Sequence, residues 1–129
     1  ALNIDAEIER LRAKIDAGAD YVMTQPVFDD ASMKTIAPFR NLVSVLPGVM
    51  VLKSKSHAQR IAQVPGVNLS QSVIDSLAKY PSGNDQLKAG IDFAVRQAHE
   101  YRSQGWAGVY LMSPASLGAA KQVLKTLAE

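Results

Sequence analysis

The chain has 129 residues, with 14 Lys and Arg against 12 Asp and Glu, a net charge of +2, and no cysteine. These values exclude a disulfide framework and any cysteine-ligated zinc or iron–sulfur site. With 47% hydrophobic and 20% charged residues, they also exclude disorder as the main state and point to a single domain, residues 1–129, with a buried core.

Ile4, Ile8, Leu11 and Ile15 recur at helical spacing, with Asp5 as a plausible cap and Gly18 as a stop. Residues 20–25 then read as a buried strand closed by Pro26. Asp29 or Asp30 can cap a helix carrying Met33, Ile36, Phe39 and Leu42, which Pro38 should kink or shorten. Pro47-Gly48 introduces a second strand, Val49 to Leu52. A short helix capped by Ser56 runs to about Gln63, and Val64-Pro65-Gly66 is a turn. Ser70 caps a helix with Val73, Ile74 and Leu77 that ends near Tyr80-Pro81. A long helix from Asn84 to Gln104 turns Leu87, Ile91, Ala94, Val95 and Ala98 inward and stops at Gly105. A third strand, Gly108 to Met112, and a helix from Ser116 to Leu127 complete the pattern.

Apolar strands separated by helices indicate an α/β fold with a parallel, helix-covered sheet. Three strands leave two open edges that invite pairing. A closed (β/α)8 barrel needs eight strands and about 250 residues. The expectation is therefore a partial (β/α)8 TIM barrel: three parallel strands with covering helices. The longest nearly apolar run, Leu42 to Leu52, is interrupted by Ser44 and Pro47 and falls short of the roughly 20 residues a membrane helix requires. No signal peptide is visible, and the expected location is cytoplasmic, with neither membrane nor nucleic acid as partner.

In such folds function collects at the carboxyl ends of strands. Gln25, at the first strand end, carries donor and acceptor together and suits a heterocycle with amide-like edges. The plainer alternative is that Gln25 hydrogen-bonds its own turn. Lys53, Ser54, Lys55, Ser56 and His57 follow the second strand where a helix begins. Free N–H groups and two lysines there would suit a phosphate or carboxylate, and the alternative is a solvated basic loop. Lys14 reads by itself as a solvated helix-end cation. Met23, Met50 and Met112 read as core filler, and Trp106 as a packing residue. His57 and His99 have no metal-ligand companions at helical spacing. No nucleophile elbow or strand-end acidic pair is present, so no catalytic residue is assigned.

The segment from Lys14 to Asp29, K-I-D-A-G-A-D-Y-V-M-T-Q-P-V-F-D, resembles the "K-DAGAD-ITQ-FD" segment of methylenetetrahydrofolate reductases. In the same order, Pro47-Gly48-Val49-Met50 resembles their "PGIMP" strand, Val64-Pro65-Gly66-Val67 their "VP" turn, and Gly90-Ile91 with Gly108 to Pro114 their closing helix and strand. The versions here are similar to reductase modules fused to homocysteine methyltransferases in some bacteria. The resemblance implies a (β/α)8 barrel binding FAD. In it NAD(P)H reduces the flavin, which reduces 5,10-methylenetetrahydrofolate to 5-methyltetrahydrofolate. This chain would supply the last three strands, its C-terminal half-barrel, with a missing N-terminal half or a homo-oligomer as partner. The resemblance places Gln25 at the pterin, Lys14 near the phosphate side of the flavin, and Lys53, Ser54 and Lys55 in the loop that packs on folate and nicotinamide. Val51 replaces a usual proline, Lys55 a usually aromatic or aliphatic residue, and Ala115 a frequent asparagine. The family's acidic residue for ring opening and most flavin contacts lie on the first five strands. Half a barrel alone should not transfer hydride, because flavin and substrate must be stacked. Two other readings stay open: a non-catalytic α/β module that dimerises through its sheet edges, and a different barrel chemistry such as a pterin- or phosphate-binding enzyme.

Overall fold

The computed structural model describes residues 3–114 and 117–129. Helix α1 (Ile4–Asp16) is capped by Asn3, whose side chain accepts from Ala6 N at 3.1 Å. Asp5, the expected cap, instead lies in the first turn, where its charge complements the helix dipole. Gly18 stops the helix at φ 110°, and the Ala19 N–H returns to the Lys14 carbonyl.

Strand β1 (Tyr21–Pro26) leads to α2 (Asp30–Ile36), capped by Asp29 rather than Asp30. Pro38 shortens this helix as expected, and a 3-10 turn over Ala37–Asn41 replaces its continuation. Strand β2 (Ser44–Met50) begins earlier than the expected Val49, so Pro47-Gly48 lies inside the strand. The remaining elements are α3 (Lys55–Ile61), α4 (Gln71–Ala78), α5 (Gly83–Ser103), β3 (Tyr110–Met112) and α6 (Leu117–Ala128). Ser54, not Ser56, caps α3 by accepting from His57 N at 3.1 Å. Ser70 and Gly105 act as the sequence suggests. Ala115 and Ser116, the expected start of the last helix, lie outside the described residues.

The three strands form one parallel sheet in the order β1-β2-β3. This bears out the α/β reading with a parallel sheet. Among the described residues the sheet does not close, and β1 and β3 are both edges. The register runs Met23 to Leu46 and then Pro26 to Gly48, so Thr24 and Gln25 together oppose Pro47. This is a bulge, and it explains how a buried central strand tolerates proline: Pro47 has no N–H to give a ladder, and the ladder is interrupted where it sits.

One face of the sheet packs under α2, α5 and α6, with Val49, Val51, Ala94, Val95 and Val123 in its main core. A smaller cluster of Phe28, Leu52, Ala58, Ile74 and Leu77 lies with α3 and α4. Trp106 packs as expected, beneath the Arg40 guanidinium at 4.2 Å from the ring centroid. The opposite face carries Tyr21, Met23 and Tyr110, which are 54%, 52% and 39% exposed. Strand β1 is thus not the buried strand that its composition suggests, and Met23 is not core filler.

Helix α5 crosses the end of β2 at Gly90. A Cβ there would overlap the Leu52 carbonyl oxygen, a backbone atom that cannot swing aside. Gly90→Ala should therefore destabilise the fold by about 2–3 kcal/mol despite alanine's better helix propensity. Gly83→Ala, on the same helix with open space around it, should be neutral or stabilising in the same thermal melt.

Candidate functional site

The bulge fixes the carboxyl end of β1 from several sides. Thr24 Oγ1 donates to the Gln25 carbonyl at 2.7 Å and accepts from Gly48 N at 2.9 Å. The Val27 N–H then reaches the Gly48 carbonyl at 2.9 Å. Behind the strand, the buried Gln97 Nε2 donates to the Val27 carbonyl at 3.0 Å and contacts the Tyr101 hydroxyl at 3.4 Å. Burial, reinforced by Glu100 and Asp30, pushes the Tyr101 phenol up to about 12, so it stays a neutral hydrogen-bonding group.

Gln25 is held by its backbone while its carboxamide makes no hydrogen bond among the described residues, and the side chain is exposed. It makes no hydrogen bond to its own turn. The carboxamide borders a hollow of about 630 Å³ beside β1. Lys14 and Arg10 of α1 border the same hollow, as do Ser32, Gly66 and Asn68. Arg10 is committed to Glu7 at 2.7 Å, whereas Lys14 has no ion pair among the described residues. Sequence reasoning missed Gly66, Asn68 and Ser32 here. The Pro-Gly turn was legible, but its position over β1 depends on how α3 and α4 pack.

Lys53, Ser54 and Lys55 do not line this hollow. Lys53 and Ser54 form the turn between β2 and α3, Lys55 begins α3, and the Lys53 and Lys55 amides are already used. Lys53 N donates to His57 Nδ1 at 3.1 Å, Lys55 N to Gln86 Oε1 at 3.0 Å, and His57 N to Ser54 Oγ. The free N–H groups expected at this helix start are therefore largely absent, and an anion there would meet the lysine side chains. A second hollow, of about 740 Å³ between α4 and α5, contains none of the sequence-predicted residues.

The family model for methylenetetrahydrofolate reductase matches residues 1–128. The chain belongs to the methylenetetrahydrofolate reductase family. It is 26% identical over 128 residues to a Caenorhabditis elegans protein named probable methylenetetrahydrofolate reductase (NADPH), covering 95% of this chain and 19% of that protein. It is 23% identical over 130 residues to methylenetetrahydrofolate reductase 1 of Schizosaccharomyces pombe, covering 97% of this chain and 22% of that protein. The chain thus spans about a fifth of the length of these relatives. The reductase-like segments quoted above, around Gln25, Pro47-Gly48 and Pro65-Gly66, meet at one strand end. No described helix is long and apolar enough to cross a membrane.

His57 is buried, and burial first, then the charges of Lys53 and Arg60, hold its imidazole below the ordinary 6.5. The fold thus favours neutral His57, which can accept from Lys53 N. The stability tied to it is complete above the unfolded value of about 6.5 and is lost as pH falls from there toward the folded value. The thermal midpoint should fall between about pH 7 and pH 5 more steeply for the unaltered chain than for His57→Asn, which keeps an acceptor but does not titrate. Parallel curves would remove His57 as the source.

Proposed function

We propose that this chain is the folate-binding, C-terminal segment of a flavin-dependent reductase. The whole enzyme would use NAD(P)H to reduce 5,10-methylenetetrahydrofolate to 5-methyltetrahydrofolate. The observation that carries this reading is the unbonded Gln25 carboxamide, held at a strand end by a bulge, in a chain that the family model spans almost completely.

A carboxamide offers a donor and an acceptor side by side, the complement of the amide-like edge of a pterin. Held on a strand rather than a loose loop, it loses little freedom on binding. Lys53 and Lys55, with Ser54 between them, would receive the anionic parts of the folate or nicotinamide ligand. For the flavin, Lys14 beside the hollow suits a phosphate, and it forms no ion pair among the described residues, Glu7 of the same hollow being paired with Arg10. FAD would supply the hydride relay between the two substrates. This chain's own residues bind, orient and exclude water, and none of them is assigned a proton-transfer role.

The open edges and the exposed Tyr21, Met23 and Tyr110 support the companion reading that three strands here continue into further strands of a barrel. The same face would also suit the non-catalytic alternative, in which two copies pair and bind no flavin. Colourless protein that sediments as a dimer and takes up no flavin would favour that alternative.

Gln25→Ala should weaken 5-methyltetrahydrofolate binding roughly tenfold with little change in melting temperature, because the carboxamide contributes no internal hydrogen bond. Equal affinity would take Gln25 out of the site. Lys53→Ala combined with Lys55→Ala should lower affinity for a polyglutamylated folate, with a loss that shrinks as salt rises. An identical salt response would make the loop a solvated surface.

A further inference from the structure

Gln25 has one neighbour that the function proposed above does not use. The segment Val64-Pro65-Gly66-Val67 closes on itself through the Val67 N–H to Val64 carbonyl bond at 3.1 Å. Proline at its second position and φ of 86° at Gly66 make it a type II turn. Val67 is 8% exposed and belongs to the smaller core cluster, so the turn is anchored. Its exposed Gly66 lies against the Gln25 side chain: a Cβ on Gly66 would come within 2.7 Å of Gln25 Oε1 and 3.7 Å of the carboxamide carbon. Nothing else within 4 Å would obstruct it.

A hydrogen bond would occupy the carboxamide. The closeness of Gly66 on one side of an otherwise exposed amide instead limits where it can lie while leaving its donor and acceptor unspent. Gly48, from β2, leaves room for the Gln25 backbone, whose carbonyl oxygen an added Cβ would approach within 2.7 Å.

We propose that Gly66 is a positioning residue for Gln25: the type II turn presents a side-chain-free surface that sets the rest position of the carboxamide for ligand reading. This rests on Gln25 reading a folate, and the test separates the two claims. Any side chain at position 66 displaces the far end of Gln25 rather than backbone, so the fold should survive the change. Gly66→Ala carries the intruding Cβ and the positive-φ strain. Gly66→Asn carries the same Cβ on a residue that tolerates positive φ. Gly105→Ala has comparable strain, at φ 83°, with no contact to Gln25.

The affinity of the purified protein for 5-methyltetrahydrofolate is measured for these variants, for Gln25→Ala, and for the Gln25→Ala, Gly66→Ala double variant. Gly66→Ala and Gly66→Asn should each weaken binding about fivefold or more, and Gly105→Ala less than twofold. The double variant should bind no worse than Gln25→Ala alone, because Gly66 acts only through that side chain. Binding unaffected by Gly66→Asn, or losses that simply multiply in the double variant, would overturn the positioning role. If Gln25→Ala itself binds normally, the folate reading falls. The Gln25 side-chain amide resonances then decide the matter: they should shift in Gly66→Asn and stay in place in Gly105→Ala, and unmoved resonances in Gly66→Asn would refute the contact.

Discussion

The candidate site depends on one irregularity in the sheet. Pro47 sits in the middle of the central strand with no N–H, and β1 answers it by placing two residues, Thr24 and Gln25, against that one. The alternation of exposed and half-buried side chains along β1 runs unbroken to Pro26, so what the bulge interrupts is the pairing with β2. There the Thr24 hydroxyl takes up the Gly48 N–H while holding the Gln25 carbonyl. Gly48 is required beside Pro47 because Gln25's backbone lies against it, where a Cβ would collide. A proline, a glycine and a threonine from two stretches of chain therefore together fix the backbone of Gln25.

The loop after β2 follows a different logic. Its lysines are exposed, but its backbone is internally satisfied by His57, Gln86 and Ser54. Side-chain acceptors take the amide hydrogens that an incoming anion would otherwise receive, so these amides need no ligand. The two strand ends thus differ in kind: at Gln25 an exposed side chain has no hydrogen-bond partner among the described residues, and at Lys53 the main chain is fixed by side-chain acceptors.

Much of the fold was legible from residue pattern. Helix periodicity, the Gly18 and Gly105 stops, the Ser70 cap and the effect of Pro38 all rest on short-range rules, and these hold. The misplacements have tertiary causes. Asn3 and Ser54 displaced Asp5 and Ser56 as caps because several short polar residues stand close together, and backbone geometry selects among them. Pro47-Gly48 reads locally as a turn, and only pairing with a bulged neighbour lets it sit within a strand. Met23 reads as core because its neighbours are apolar, yet it is an exposed residue. For the site, Gln25 and Lys14 could be named from strand-end position and resemblance. Gly66 and Asn68 could not, since some 40 residues and two helices lie between them and Gln25. The Gln97 anchor behind Val27 was equally hidden, because a lone glutamine on a long helix reads as solvated surface.

The sheet order also has a kinetic consequence. Tyr21 pairs with Ser44, 23 positions along the chain, whereas Gly48 pairs with Tyr110, 62 positions along. Closing the longer loop costs roughly 0.9 kcal/mol more chain entropy on the logarithmic scaling of loop closure, and β3 offers only three residues to repay it. The first two strands can therefore nucleate early, with the third docking only after the long helix has condensed onto them. In that sequence of events the bulge belongs to the early pair, and the third strand is the late edge of the three-stranded sheet.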